Sequence, residues 1–178
     1  MHGSEVNARL STLIDEASLQ ARIQELGAQI REEYGDEPIT CIGVLKGSFL
    51  FMADLVRAIG GPVRCEFLGV SSYQGGTRST GVVRITHDLK QSVEGQHCLL
   101  IEDIVDTGLT MEYLLRMLNL RNPTSLKIAS LLDKPSNRKV EVEIDHVGFT
   151  IPDEFVVGYG LDLQGFYRNL PYIAVYHP

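Results

Sequence analysis

The chain has 178 residues, 44% of them hydrophobic and 22% charged, with a formal net charge of −7 at pH 7. That size and balance predict one globular domain with a sizeable core, and the acidic surplus argues against a broad nucleic-acid-binding face, which would be basic. No apolar run approaches the roughly 20 residues of a membrane span, and the N-terminal segment lacks the basic and then apolar layout of a secretory signal. Cys41, Cys65 and Cys98 sit far apart in strand-like runs without metal-ligand spacing. They are expected to be buried free thiols in a reducing cytoplasm.

Taken in order, Leu19, Ile23, Leu26 and Ile30 recur at helical spacing, and Gly35 follows the end of that helix. Pro38 opens Ile39–Leu45, an apolar run that predicts the first central strand. Lys46-Gly47-Ser48 then turns into a second helix, whose inner face is read from Phe49, Met52, Ala53, Val56 and Ile59. A strand, a short Lys-Gly-Ser turn and a helix start offer backbone N–H groups to an anion. Val63–Val70 is a strand with one wetter face, carrying Arg64 and Glu66. Ser71 to Gly81 is almost free of apolar residues and reads as a long Gly/Ser-rich hairpin connection. Val82–Thr86 returns as a strand, followed by a charged loop over His87–Gln96.

The most informative stretch is Leu99–Thr110, Leu-Leu-Ile-Glu-Asp-Ile-Val-Asp-Thr-Gly-Leu-Thr. Cys98–Ile101 predicts a strand buried on both faces, with Glu102 and Asp103 at its carboxyl end, where open α/β sheets hold ligands. Asp106, Thr107, Gly108 and Thr110 follow, ahead of a helix patterned by Met111, Leu114, Leu115 and Leu118. A glycine-bearing turn with two threonine hydroxyls at a helix start can cradle a phosphate. The two carboxylates before it suit sugar hydroxyls or a hydrated Mg²⁺. Together these describe a ribose 5-phosphate site. The plainer alternative is a solvated strand end, with Asp106 and Thr107 capping the helix.

Asn122-Pro123 breaks the chain before Ser125–Leu132, a further buried strand. Pro135 cannot continue its ladder, so Lys134 stands at the ligand end of the sheet. The remaining stretch, Asp145–Val175, holds Phe155, Val156, Asp162 and Arg168. Taken singly, Phe155 reads as core.

Glu-Asp-Ile-Val-Asp-Thr-Gly-Leu-Thr resembles the phosphoribosyl-pyrophosphate loop of the type I phosphoribosyltransferases. With Val-Leu-Lys-Gly-Ser-Phe, Asp-Lys-Pro and Val-Gly-Phe-Thr-Ile-Pro-Asp-Glu-Phe-Val-Val-Gly-Tyr-Gly-Leu-Asp, the chain is similar to the purine-salvage members over about Leu13 to Val175. The resemblance implies an α/β fold in which a mostly parallel central sheet is flanked by helices. The whole chain, 1–178, would form one domain, with a core over about 36–150 and a small hood from the N-terminal segment and about 151–178.

The implied reaction is transfer of phosphoribosyl from phosphoribosyl pyrophosphate to N9 of hypoxanthine, and of guanine. By the same resemblance Lys46 and Gly47 form a pyrophosphate loop, with a non-proline cis bond common before the lysine, and Ser72 and Tyr73 begin a lid. Glu102 and Asp103 hold the ribose, while Asp106, Thr107, Gly108 and Thr110 hold its phosphate. Asp106 also accepts the purine N7 proton. Lys134 donates to the purine 6-oxygen, Phe155 stacks on the base, backbone at Val156 reads its edge, and Arg168 approaches the pyrophosphate. Mg²⁺ is the implied cofactor, with Glu102, Asp103 and Asp162 as its ligands. A cytoplasmic homodimer or homotetramer, binding neither nucleic acid nor membrane, completes the expectation. Two competing readings are a same-fold RNA-binding regulator, which the net charge disfavours, and a preference for xanthine.

Overall fold

The structure is a computed structural model that describes residues 9–72 and 83–178. Helix α1 spans Glu16–Tyr34, and Asp15 caps it by accepting a hydrogen bond from the Ser18 N–H at 2.8 Å. Strand β2 (Ile39–Leu45) leads into α2 (Phe49–Ile59), then β3 (Val63–Ser72). After β4 (Val83–His87), β5 (His97–Val105) leads into α3 (Leu109–Asn119) and β6 (Ser125–Asp133), then β7 (His146–Thr150). These six strands form one sheet in the order β4-β3-β2-β5-β6-β7. All neighbours are parallel except β3 and β4. A second, antiparallel sheet orders β1 (Leu10–Ile14), β9 (Ile173–Tyr176) and β8 (Val156–Val157) side by side.

The main sheet is covered on both faces, which is why its central strands are continuously apolar. Successive side chains alternate between the two layers. Cys41, Leu99, Ile101 and Ala129 pack with Leu19, Ile23, Leu26 and Ile30 of α1 and with α2. Ile42, Val44, Cys98, Leu100 and Ile128 pack with Met111, Leu114 and Leu118 of α3 on the other side. Each of the four fully buried α1 side chains contributes about 1.5–3 kcal/mol of burial. Arg22 of α1 also donates to the carbonyls of Val147 (2.8 Å) and Gly148 (3.0 Å) on the edge strand β7. The first layer runs on without a break into Tyr159, Leu161, Ile173 and Val175 around the second sheet.

Several expectations need correction. Cys65 is exposed, unlike Cys41 and Cys98, because the α1–α2 layer stops short of β3. The inner face of α2 is Phe51, Met52, Leu55 and Ile59, whereas Phe49 is 40% exposed and Ala53 is exposed. Leu115 of α3 is only half-buried. Strand β5 does not end at Ile101 but continues through Glu102 and Asp103 to Val105, where pairing with Asp133 of β6 sustains it.

Candidate active site

The cleft opens where the strand order reverses. β2 connects to β3 on one side and β5 connects to β6 on the other, so the β2/β5 seam is the topological switch point of the sheet. Pairing between β2 and β5 stops at Gly43↔Ile101, while β2 stays with β3 to Leu45↔Gly69. β5 stays with β6 to Val105↔Asp133. The sheet therefore splays beyond Ile101 and leaves one flank of Glu102 and Asp103 unpaired by β2. The chain leaves β2 through a cis peptide bond between Leu45 and Lys46. It brings Gly47 so close that a Cβ there would land on the Asp103 carboxylate.

A cavity of about 310 Å³ fills the opening, lined by Lys46, Gly47, Glu102, Asp103, Asp106, Thr107, Gly108, Thr110, Asp162 and Arg168, among others. A second cavity of about 200 Å³ adjoins it, lined by Lys134, Phe155 and Val156 and sharing Asp103, Ile104, Asp106 and Asp162 with the first. Of the expected site residues, Ser72 ends β3 opposite Val83 of β4, and Tyr73, like the rest of the expected lid through Gly81, lies outside the described residues. All the others line one cavity or both. A larger hollow of about 570 Å³ lies at the opposite, amino-terminal end of the strands, around Thr40, Arg64, Gln96 and His97. It is remote from the carboxylates and at the wrong end of a parallel sheet for ligand chemistry.

The turn from β5 into α3 is bent at Gly108, whose φ is +84°, with Val140 O only 2.7 Å from where a Cβ would stand. Gly108 serves as the helix N-cap, so Asp106 is not the cap residue of α3, while Thr107 accepts from the first N–H of the helix. Thr107 Oγ1 lies 3.5 Å from the Leu109 N–H. Thr107, Gly108, Thr110 and Met111 line the 310 Å³ cavity, so the start of α3, where helices carry unpaired N–H groups, adjoins it as an anion site requires.

The carboxylates differ sharply in setting. Glu102 is buried, and that burial, reinforced by the neighbouring charge of Asp103, holds its carboxyl well above the ordinary carboxylate range. Asp106 keeps one oxygen, Oδ1, buried without a hydrogen-bond partner. Its other oxygen lies 3.7 Å from Lys134 Nζ. Lys134 is 8% exposed and also touches Asp153 (3.1 Å) and the carbonyl of Glu154 (3.3 Å). The ammonium in turn pulls the Asp153 carboxyl below its ordinary value. Asp162 is held from two sides, accepting from the Gly165 N–H at 2.6 Å and pairing with Arg168 Nη2 at 2.5 Å. Phe155 is 52% exposed, its edge against Tyr176 with ring centroids 6.3 Å apart and its body free to meet a planar ligand.

Among the described residues no group of three metal-ligating side chains forms a cage. Mg²⁺ ordinarily takes only one or two carboxylates and completes its octahedron with water and substrate phosphate oxygens. The adjacent Glu102 and Asp103 fit that role, the more so because a cation would relieve the charge repulsion between them. Asp162 is already committed to Arg168 and Gly165 and has less to offer.

Sequence reasoning missed three contributors. Asp153 neutralises Lys134, and the only hint was its place in an Asp-Glu pair just before Phe155. Gly160, with φ +102°, packs so tightly on the Gly47 carbonyl that a Cβ there would overlap it. Its signal was the paired glycines around Tyr159. Tyr159 itself hydrogen-bonds Asp54 of α2, a partner 105 residues away that no local pattern discloses.

The phosphoribosyl transferase domain model matches residues 11–164, and the chain belongs to that family. More particularly, it is 51% identical over 164 residues to a hypoxanthine-guanine phosphoribosyltransferase of Staphylococcus epidermidis, a match spanning 92% of each chain. Among solved structures it is similar to a hypoxanthine phosphoribosyltransferase of Staphylococcus aureus, with a TM-score of 0.94 and 47% identity over 100% of this chain and 97% of that one. A Trypanosoma cruzi hypoxanthine phosphoribosyl transferase, solved in work on the role of its C-terminal region in oligomeric state and enzymatic activity, matches with a TM-score of 0.90 and 46% identity. That match covers 94% of this chain and 91% of the other.

Proposed function

We propose that this chain is a purine-salvage enzyme that transfers the 5-phosphoribosyl group of phosphoribosyl pyrophosphate to N9 of hypoxanthine, and of guanine, giving IMP or GMP and pyrophosphate. One observation carries the reading. Asp106 stands on the wall common to a phosphate-type cavity and a base-type cavity, with a buried, unpartnered oxygen and Lys134 3.7 Å from the other.

In the reaction the bond from ribose C1 to the pyrophosphate oxygen breaks and its electron pair leaves with pyrophosphate, while N9 forms the new bond from the opposite face. The turn from Asp106 to Thr110 holds the 5-phosphate, and the Glu102–Asp103 pair takes the ribose hydroxyls. Lys46 and the remaining N–H donors of Arg168 face the departing pyrophosphate charge. The Asp106 carboxylate, whose side chain is 42% exposed on that wall, accepts the purine N7 proton, which raises the nucleophilicity of N9. Glu102 and Asp103 would hold Mg²⁺, which when bound would neutralise pyrophosphate charge. Asp162 orients Arg168 and completes the wall.

Lys134 sets the choice of base. Its ammonium has donors and no acceptor, so it pairs with a 6-oxo group and not with a 6-amino group. Phe155 stacks on any purine and adds affinity more than discrimination. A steady-state comparison of hypoxanthine, guanine, xanthine and adenine, with phosphoribosyl pyrophosphate and Mg²⁺, tests the whole reading. Hypoxanthine and guanine should be used and adenine rejected by roughly 10⁴-fold or more, as at sites built around one buried polar contact. Efficient use of adenine, or turnover with none of the four, would sink it.

The proposal treats residues 1–178 as one catalytic domain working in the cytoplasm. No described helix is long and apolar enough to cross a membrane, and all three cysteines are unpaired. It also takes the working form as a homodimer or homotetramer, because Phe49 and Phe67 leave apolar surface 40% and 37% exposed.

A further inference from the structure

Between the two sheets lies a polar contact that the reaction as described does not use. Tyr159 is buried, 4% exposed, with its backbone at φ +46°, in the left-handed region that bulky residues rarely enter. The glycines on either side also have positive φ, and the N–H groups of Gly158, Tyr159 and Gly160 are bonded to the carbonyls of Leu161, Leu170 and Arg168 at 3.1, 2.9 and 2.9 Å. That backbone drives the tyrosine ring down between α1 and α2. There its hydroxyl donates to Asp54 Oδ2 in a short hydrogen bond, and Gln20 Nε2 donates to the same oxygen at 3.1 Å. Arg57 takes the other oxygen of Asp54.

The two ends of this bond belong to opposite walls of the cleft. Asp54 is on α2, the helix that starts directly after the Lys46–Gly47 turn. Tyr159 immediately precedes Gly160, which packs on the Gly47 carbonyl and whose own carbonyl accepts from Arg168. Arg168 in turn holds Asp162. A continuous set of contacts thus runs from α2 through Tyr159 to the two charged residues facing Lys46. Packing alone would be served by phenylalanine at the same volume, so the buried hydroxyl and its carboxylate partner serve something beyond volume.

We infer that Tyr159 and Asp54 are positioning residues that fix the separation of the Arg168–Asp162 wall from the Lys46–Gly47 wall, and so tune recognition of the pyrophosphate group. This rests on the transfer reaction proposed above. Of this set of contacts only Asp162 also lines the adjoining cavity, where the base-binding residues Lys134, Phe155 and Val156 lie. Losing the bond should therefore fall mainly on the pyrophosphate-bearing substrate.

The test is Tyr159→Phe, with Asp54→Asn as a conservative partner, since the Asn oxygen can still accept the tyrosine hydroxyl. KM for phosphoribosyl pyrophosphate, KM for hypoxanthine and kcat are measured for each, together with direct calorimetric binding of pyrophosphate in the presence of Mg²⁺. Because misplacement of about 1 Å can cost up to 10²-fold, Tyr159→Phe is expected to raise KM for phosphoribosyl pyrophosphate and Kd for pyrophosphate by about ten-fold. KM for hypoxanthine should stay within about two-fold, and Asp54→Asn should lie between Tyr159→Phe and wild type. Equal changes for both substrates, or a lowered Tm with both KM values and the pyrophosphate Kd unchanged, would overturn the inference. Absence of turnover in the wild type would instead overturn the reaction on which it rests, and the pyrophosphate titration keeps the two outcomes apart.

Discussion

Two neighbouring carboxylates at the cleft serve opposite ends of an acid–base argument. Asp106→Asn keeps the shape of the turn and removes the proton acceptor, so turnover should fall by roughly 10²–10⁴. Apparent affinity for phosphoribosyl pyrophosphate should change far less, because in the proposed complex its phosphate would be held by backbone and threonine. Pre-steady-state and steady-state kinetics check both, and turnover within a few-fold of wild type would return Asp106 to a merely structural part. Glu102 works against the fold that holds it. Burial first, and then Asp103, raise its folded pKa above the ordinary value of 4.5, so the folded protein binds a proton that the unfolded chain releases. Its contribution is harmless at acid pH and turns destabilising as pH climbs above about 4.5 towards the raised value. Glu102→Gln should therefore melt higher than wild type without ligand, by more at pH 8 than at pH 5, yet gain less from phosphoribosyl pyrophosphate and Mg²⁺. A Tm difference that is flat with pH would refute this. The positions of Glu102, Asp103 and Asp106 were legible because strand end, acid pair and glycine turn lie within a dozen residues. That Glu102 is buried and Asp106 half-open was not, since both follow from where β2 leaves β5.

At the scale of elements, the sequence patterns that worked were those with contrast. Leu19, Ile23, Leu26 and Ile30 stand among polar neighbours, and all four are buried on one face of α1. Helix α2, Phe-Leu-Phe-Met-Ala-Asp-Leu-Val-Arg-Ala-Ile, is apolar almost all round, so its periodicity marks a helix without fixing its phase. Only Asp54 and Arg57 mark a side, and Asp54 turns out to face Tyr159 from the turn after β8. The extra length of β5 was hidden for a related reason. Carboxylates read as a strand end, although ladder pairing with β6 carries the backbone past them. The approach of Gly160 to Gly47 yields a prediction at this scale. Alanine at Gly160 would meet a backbone carbonyl that cannot swing aside, at a φ of +102° that disfavours any side chain. Gly160→Ala should cost roughly 1–3 kcal/mol of stability and weaken pyrophosphate binding in the same variant. Urea unfolding and pyrophosphate titration would check it, and a stability and affinity both equal to wild type would mean the two walls do not bear on one another.

For the whole molecule, the charge of −7 extends into the cavity itself, where Glu102, Asp103, Asp106 and Asp162 stand against Lys46 and Arg168, so an anionic substrate calls for backbone N–H donors and a bound cation rather than for net positive charge. Composition could not reveal that the layer of helices stops at β2, leaving β3 with Cys65 exposed and Phe67 37% exposed. Phe67 lies over Gly43, with the edge of its ring 3.2 Å from where a Cβ would stand, beside Met52 of α2. Phe49 begins that helix one turn earlier, so both rings border the same uncovered side. Each exposed aromatic carries enough area to matter to self-association, and a covered face of this kind would account for the exposure of Phe49 and Phe67, though not for that of Leu120 and Phe166. Sedimentation should give the wild type a mass two or four times the chain's 19.8 kDa. Phe67→Glu places a charge that would have to be desolvated in any such interface, so it should shift the mass towards the single chain. Because the association is apolar, raised salt should leave the wild-type mass unchanged, whereas an interface built on ion pairs would loosen as screening shortens to about 3 Å at 1 M. A Phe67→Glu variant with the wild-type mass would place the contact on another face.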